Sequence, residues 1–155
     1  MLVMAAVAVV AAGCRGVPVS TAAATVTQPS AALVNPGFET PGSLAGWSSS
    51  GAVSAVSLEP GGHSGQYSLS QRGSGGAFQA RTTQTLAGLA DGWHTLRAWA
   101  RTSSGAASAA IGLQDCGGPD QQAAVPVAPP DRWLQVVVSI EITGGRCTVV
   151  LSTTA

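Results

Sequence analysis

Residues 133–143 read WLQVVVSIEIT, and this stretch decides the fold. Every second residue from Leu134 to Ile142 is aliphatic, and most of the positions between them are polar. Alternation with a period of two is typical of a β-strand with one buried face. The sequence therefore predicts a core face at 134, 136, 138, 140 and 142. The opposite face carries Trp133, Gln135, Val137, Ser139 and Glu141.

Similar short segments occur along the rest of the chain, separated by Gly, Pro, Asn and Asp. We predict strands at 33–34, 53–58, 66–71, 77–86, 93–102, 106–114 and 147–153, and an edge segment at 125–127. No amphipathic helix is predicted, and twenty Gly and nine Pro suit a chain of short strands and turns. About eight regularly spaced strands indicate an all-β protein, an antiparallel β-sandwich of the jelly-roll type.

The composition excludes several classes of protein. The chain has 155 residues, which is enough for one ordinary domain. Seven Arg and no Lys are balanced by seven acidic residues, so neither a basic nucleic-acid surface nor an acidic tail is predicted. A hydrophobic content of 45% argues against disorder.

The N-terminal segment has the composition of an export signal. Residues 1–12 are continuously apolar, although the usual positive charges before such a run are missing. We predict a signal peptide at 1–24, a linker at 25–32 and a sandwich domain at 33–155. The favoured interpretation is secretion after cleavage at Ala22–Ala24. The alternative is a lipoprotein signal, with Cys14 lipidated and the protein anchored at the cell surface.

The cysteine count agrees with export. Cys14 would leave with the signal or carry lipid, so Cys116 and Cys147 remain as an even pair. An even pair in an oxidising compartment suggests a disulfide, which for a loop of this length would stabilise by about 3–4 kcal/mol. The alternative is two unrelated buried thiols.

Polar and aromatic residues gather on one face of three predicted strands. We predict a single outer face formed by Gln79, Arg81, Arg97, Trp99, Arg101, Trp133 and Gln135. Planar rings suit the flat C–H patches of sugars, and guanidinium and amide groups suit their hydroxyls. In the alternative interpretation the arginines are solvated charges and Trp99 packs under a loop.

Binding at the loop tips is a further alternative, and it would involve Trp47, His63 and Tyr67, although Trp47 is the better candidate for the core. Catalytic residues are not predicted. The carboxylates lie mostly at turns, whereas a glycosidase needs two that are placed together. His63 lies in a glycine-rich loop and His94 faces the core side, so neither fits a nucleophile triad. Phosphate loops, zinc motifs and nucleotide fingerprints are missing from the sequence.

Several motifs resemble those of galactose-binding-like carbohydrate-binding modules. They are LVNPGFE at 33–39 followed by GW at 46–47, GHSG at 62–65 before YSL at 67–69, and LADGWHTLRAW at 89–99. A closer resemblance lies in TLRAWARTSSG at 95–105, LQDCGG at 113–118 and GRCT at 145–148. These are similar to the N-terminal domain that precedes the catalytic barrel in actinobacterial arabinogalactan endo-β-1,4-galactanases, the family 53 glycoside hydrolases.

The resemblance carries its own expectations. It implies a Cys116–Cys147 disulfide, a β-galactan or arabinogalactan ligand, and a module that targets an attached secreted hydrolase. In some relatives a residue matching Glu39 and a late Asp hold a structural calcium ion. The closing strand with that Asp is missing before Ala155, so we expect a C-terminally truncated sandwich whose catalytic domain lies beyond Ala155. A structural spacer or a cell-surface interaction domain is the alternative function.

Overall fold

A computed structural model describes residues 2–11, 32–102, 108–127, 129 and 132–155, with the first of these ranges as backbone alone. Strands account for most of the described chain. They are β1 (Leu2–Ala11), β2 (Ser48–Gly51), β3 (Val56–Pro60), β4 (Tyr67–Gln71), β5 (Gln79–Ala87), β6 (Gly92–Thr102), β7 (Ser108–Gln114), β8 (Gln121–Ala124), β9 (Leu134–Ile142) and β10 (Arg146–Thr154). A short 3₁₀ turn, Val53–Ala55, precedes β3.

The strands form two five-stranded sheets that pack face to face. The front sheet has the order β3-β4-β1-β6-β9, and the back sheet has the order β2-β5-β10-β7-β8. All the pairings are antiparallel. The predicted antiparallel β-sandwich is therefore confirmed.

The core lies between the two sheets and is built by alternation within the strands. In β9, Val136, Val138, Ile140 and Ile142 are buried, as predicted. The inward residues of β6 and β10 meet them, with Leu96, Val149 and Leu151 completely buried. Burial of these aliphatic side chains contributes about 25 cal/mol per Å² of apolar surface removed from water.

The N-terminal apolar run lies in the middle of the front sheet. β1 pairs with β4 on one side and with β6 on the other, with a register shift between Met4 and Ala6. A continuous apolar segment containing valines suits a strand with neighbours on both sides. None of the helices in the described ranges has the length and apolar character needed to cross a membrane. The division into signal, linker and domain stays a prediction.

One predicted strand is not formed, and another begins later than predicted. Residues 33–34 are not a strand, because the side-chain amide of Gln84 satisfies the Val34 backbone instead. Val34 N donates to Gln84 Oε1 at 2.7 Å, and Gln84 Nε2 donates to Val34 O at 2.9 Å. Residues 53–55 form the 3₁₀ turn, so the strand predicted at 53–58 begins only at Val56.

Two short polar strands escaped prediction. β2 reads SSSG and β8 reads QQAA, and each lies at an edge of the back sheet. An edge strand is wetted on more than one side, so its sequence carries little hydrophobic alternation. The edge segment predicted at 125–127 follows β8, and Val125 N still donates to Ala109 O at 2.8 Å.

The predicted disulfide between Cys116 and Cys147 is confirmed. It links the loop after β7 to β10, with Cα atoms 4.2 Å apart and a sequence separation of 31. Beside it, Thr143 N donates to Cys116 O at 2.9 Å. The turn between β9 and β10 is thereby held against the loop that follows β7.

A buried polar bridge also joins the two sheets. Gln71 of β4 is completely buried, and its Nε2 donates to Thr82 Oγ1 at 3.1 Å and to Leu151 O at 3.4 Å. Thr153 Oγ1 donates to Gln71 Oε1 at 2.7 Å. The amide thus connects the front sheet to β5 and β10 of the back sheet.

We expect Gln71→Leu to lower the free energy of unfolding by about 1–3 kcal/mol, because it leaves buried polar groups of the back sheet without their partner. Urea denaturation measures the change. Gln122→Leu is the matched control, since Gln122 is exposed on β8. Equal unfolding midpoints for the two variants would contradict the role of the bridge.

Candidate functional site

The outward face of β6 carries most of the predicted site residues. Residues 94, 96, 98, 100 and 102 are buried, so the odd residues point away from the core. β6 pairs with β9 in an unbroken register in which Trp99 faces Gln135 and Arg97 faces Val137. Arg97, Trp99, Arg101 and Gln135 therefore share the outer face of the front sheet.

Gln79 and Arg81 do not belong to this face. Both lie on β5, which pairs with β2 and β10 in the back sheet. Arg81 Nη2 donates to Gln114 Oε1 of β7, also in the back sheet. The prediction of one face for all seven residues is wrong for these two. Alternation fixes the side of a strand on which a residue lies, but not the sheet to which that strand belongs.

Four side chains meet at one end of the outer face, and we call them the aromatic cluster: His63, Trp99, Arg101 and Trp133. The His63 imidazole stacks on the Trp99 indole, with ring centroids 4.0 Å apart and planes 9° apart. Trp133 presents an edge-on contact to His63 at 6.0 Å. The Arg101 guanidinium lies 4.7 Å from the centroid of the Trp133 ring, within cation–π distance.

The cluster joins a sheet face and a loop, which the sequence predicts as alternative sites. His63 belongs to the loop between β3 and β4, and it remains exposed on top of Trp99. Tyr67, at the start of β4, is half-buried. Contact between His63 and Trp99 spans 36 residues (99 − 63), so no local pattern could have revealed it.

Trp47 is confirmed as a core residue rather than a loop-tip residue, since only 7% of its surface is exposed. Its ring packs on Phe38 with centroids 5.2 Å apart, and its Nε1 donates to Asn35 O at 3.2 Å. Asn35 and Phe38 both have positive φ, at 48° and 62°. This tight opening turn places the next residue, Glu39, beside the loop that bears His63.

The Glu39 carboxylate holds the His63 loop at its base. Its two oxygens accept hydrogen bonds from Gln66 N at 2.9 Å and from Tyr67 N at 3.2 Å. A Cβ atom at Gly65 would overlap the same carboxylate, so glycine is required for this approach. Gly61 N also donates to Gln66 O at 2.9 Å and closes the loop. Glu39 is therefore a positioning residue for the aromatic cluster.

A structural calcium ion at Glu39 stays a prediction. Both carboxylate oxygens already face backbone amide groups, which are hydrogen-bond donors and not metal ligands. In the ranges that the structure describes, no group of three or more His, Cys, Asp or Glu could hold a metal ion. A hard cation such as calcium takes six to eight oxygen ligands.

Two other carboxylates in the described chain support turns, and His94 lies in the core. Asp91 Oδ1 accepts from Gly144 N at 2.9 Å, and Asp120 Oδ1 accepts from Asp115 N at 3.3 Å. His94 is buried, as predicted, with Nε2 2.7 Å from Ala90 O.

The outer face of the front sheet offers planar rings, forked donors and an amide on one surface. These groups come from the aromatic cluster and from the exposed Arg97 and Gln135. That combination suits an uncharged polyhydroxylated ligand.

The fold has a counterpart among solved structures. TmCBM61, solved in complex with beta-1,4-galactotriose, superposes with a TM-score of 0.69 at 24% sequence identity. The match covers 78% of this chain and 85% of TmCBM61. No family model matches the sequence, and no curated protein matches it either. The likeness at this identity establishes a shared β-sandwich fold.

We expect Gly65→Ala to free the His63 loop, because the added methyl group would displace the Glu39 carboxylate from the amides of Gln66 and Tyr67. Amide hydrogen exchange measured by NMR should become faster at both residues by about tenfold, which corresponds to about 1.4 kcal/mol. Gly118→Ala is the control, since a Cβ there meets nothing within 4 Å. Unchanged protection at both amides would contradict the role assigned to Glu39.

Proposed function

We propose that this chain is a non-catalytic carbohydrate-binding module that binds a neutral polysaccharide, with β-galactan or arabinogalactan as its natural ligand. The aromatic cluster on the outer face of the front sheet is the observation that carries the proposal. The sandwich shared with TmCBM61 supports it, since that protein was solved with a galactan oligosaccharide. The motif resemblance to modules of endo-β-1,4-galactanases points to the same ligand class.

The cluster has the chemistry that sugar recognition requires. A pyranose ring has a flat apolar side and a polar rim, so it matches an indole beside a guanidinium group. Trp99 and Trp133 supply two rings set at a fixed angle through His63. Arg97 and Gln135 lie next to them on paired strands and offer donors to hydroxyl groups.

The proposal includes the setting of the module. An apolar N-terminal run and a disulfide agree with an exported protein, either secreted or lipid-anchored through Cys14. The galactanase resemblance supports a role in targeting an attached secreted glycoside hydrolase to plant polysaccharide. In an oxidising environment the Cys116–Cys147 disulfide would persist and stabilise the folded module.

One observation favours a second function, that of a structural spacer or a cell-surface interaction domain. His63 covers a face of Trp99, and Arg101 covers a face of Trp133. Rings that are paired within the protein can serve to stabilise the surface rather than to bind a sugar. In that case removal of either indole would leave polysaccharide affinity unchanged.

We expect Trp99→Ala to weaken galactan binding by at least about tenfold, equivalent to about 1.4 kcal/mol, because one ring of the cluster and the support for His63 are both lost. Affinity electrophoresis in gels containing galactan, arabinan or xylan measures it. Gln79→Ala is the matched control on the exposed surface of the back sheet.

His63→Ala, at an exposed loop position, provides a second variant that spares the sheet. A wild-type domain with the same mobility in all three polysaccharides would refute the proposed function. Retardation of the wild type that both variants retain would assign the ligand to another surface.

A further inference from the structure

A second aromatic side chain lies at the other end of the same face. The outward residues of β6 run from Trp93 to Arg101, and the register with β9 is continuous from Gly92–Ile142 to Ala100–Leu134. At about 3.3 Å per residue, the six steps from Trp93 to Trp99 span about 20 Å. The exposed indole of Trp93 and the half-buried indole of Trp99 thus lie near opposite ends of one strip along β6.

Trp93 is 57% exposed and borders a groove of about 380 Å³. The groove is also lined by Ser139 and Glu141 of β9, by Gln121 of β8 and by the 117–119 segment beside the disulfide. Glu141 is the direct cross-strand partner of Trp93. An indole, a carboxylate, a hydroxyl and an amide converge on this groove, which is again the set of groups that suits a sugar.

The surface between the two ends is continuous. Thr95 and Ser139 face each other with their hydroxyl oxygens 3.0 Å apart. Arg97 is exposed, and its cross-strand partner Val137 is 45% exposed. Polar and apolar patches therefore alternate along the strip, as they do along a polysaccharide chain.

We propose that the groove beside Trp93 is a second contact region for the polysaccharide chain that the aromatic cluster binds. One chain of neutral sugars runs along β6, with its first contacts at Trp99 and Trp133 and its last at Trp93. This inference rests on the proposed function and deepens it. Because about 20 Å exceeds the reach of a trisaccharide, only longer chains contact both regions. The module then binds internal stretches of a long polysaccharide, and its affinity rises with the length of the sugar chain.

Calorimetric titration with β-1,4-galactotriose, β-1,4-galactohexaose and galactan tests the inference, with the wild type and Trp93→Ala compared. The wild type should bind the hexasaccharide at least about tenfold more tightly than the trisaccharide. Trp93→Ala should leave trisaccharide affinity unchanged and remove the gain with length. Trp93→Phe, which keeps a planar ring, should restore part of that gain.

Val53→Ala is the matched control, because Val53 is 56% exposed in the 3₁₀ turn and lies outside the strip. Equal affinity of Trp93→Ala and the wild type for every ligand would overturn the inference and leave Trp93 as a solvated side chain. An equal loss for the trisaccharide and the hexasaccharide would overturn it too, since Trp93 would then act on the first region. A wild type that binds no oligosaccharide of any length would refute the proposed function itself.

Discussion

The pleat of β6 is the constraint on which the rest of the molecule depends. Its even residues close the core against the back sheet, and its odd residues build the outer face. β9 pairs with β6 in a continuous antiparallel register, so β6 cannot slip by one residue without burying Arg97 and exposing Leu96. The free energy of core burial therefore also fixes the positions of Trp99 and Arg101. The strand register of β6 therefore determines both the packing of the core and the arrangement of the candidate site.

Two loops position the remaining member of the aromatic cluster, His63. The opening turn at 35–38 buries Phe38 and Trp47 against each other and brings Glu39 to the base of the His63 loop. Gln84 secures the start of that turn by bonding both backbone groups of Val34. A series of contacts thus connects the buried amide of Gln84 to the exposed imidazole of His63. These contacts join residues that are far apart in sequence, and together they place His63 on Trp99.

The sequence predicted the parts of the fold that bury apolar surface. β6 and β9 alternate strongly, so the predicted buried and outer faces of both strands were correct. The prediction that Trp47 lies in the core was correct as well. Alternation within a strand does not reveal the sheet to which the strand belongs, and for that reason Gln79 and Arg81 were predicted on the wrong side of the sandwich. β2 and β8 were missed because edge strands need little apolar patterning.

Only the part of the candidate site that lies on or next to alternating strands could be predicted from the sequence. Trp99 and Arg101 come from β6 and Trp133 directly precedes β9, two strands whose alternation is visible. The contribution of His63 depends instead on a loop whose path is set by Glu39, which is far from it in sequence. Gly65 is a local signal for that path, because a Cβ at this position would overlap the carboxylate. Such a signal shows that a close approach occurs but not which group approaches.

The internal pairing of the aromatic cluster has two opposing consequences for binding. Stacking on His63 and the cation–π contact with Arg101 hold both indoles in fixed orientations, which saves about 0.5–1.5 kcal/mol per side chain that would otherwise be immobilised by the ligand. The same contacts cover one face of each indole, so a sugar bound here would meet an imidazole, a guanidinium group and ring edges before a bare indole face. A surface of this kind favours many moderate contacts over one deep stacking contact. It therefore suits a ligand that repeats along the strip, which is the property that distinguishes a polysaccharide from a single sugar.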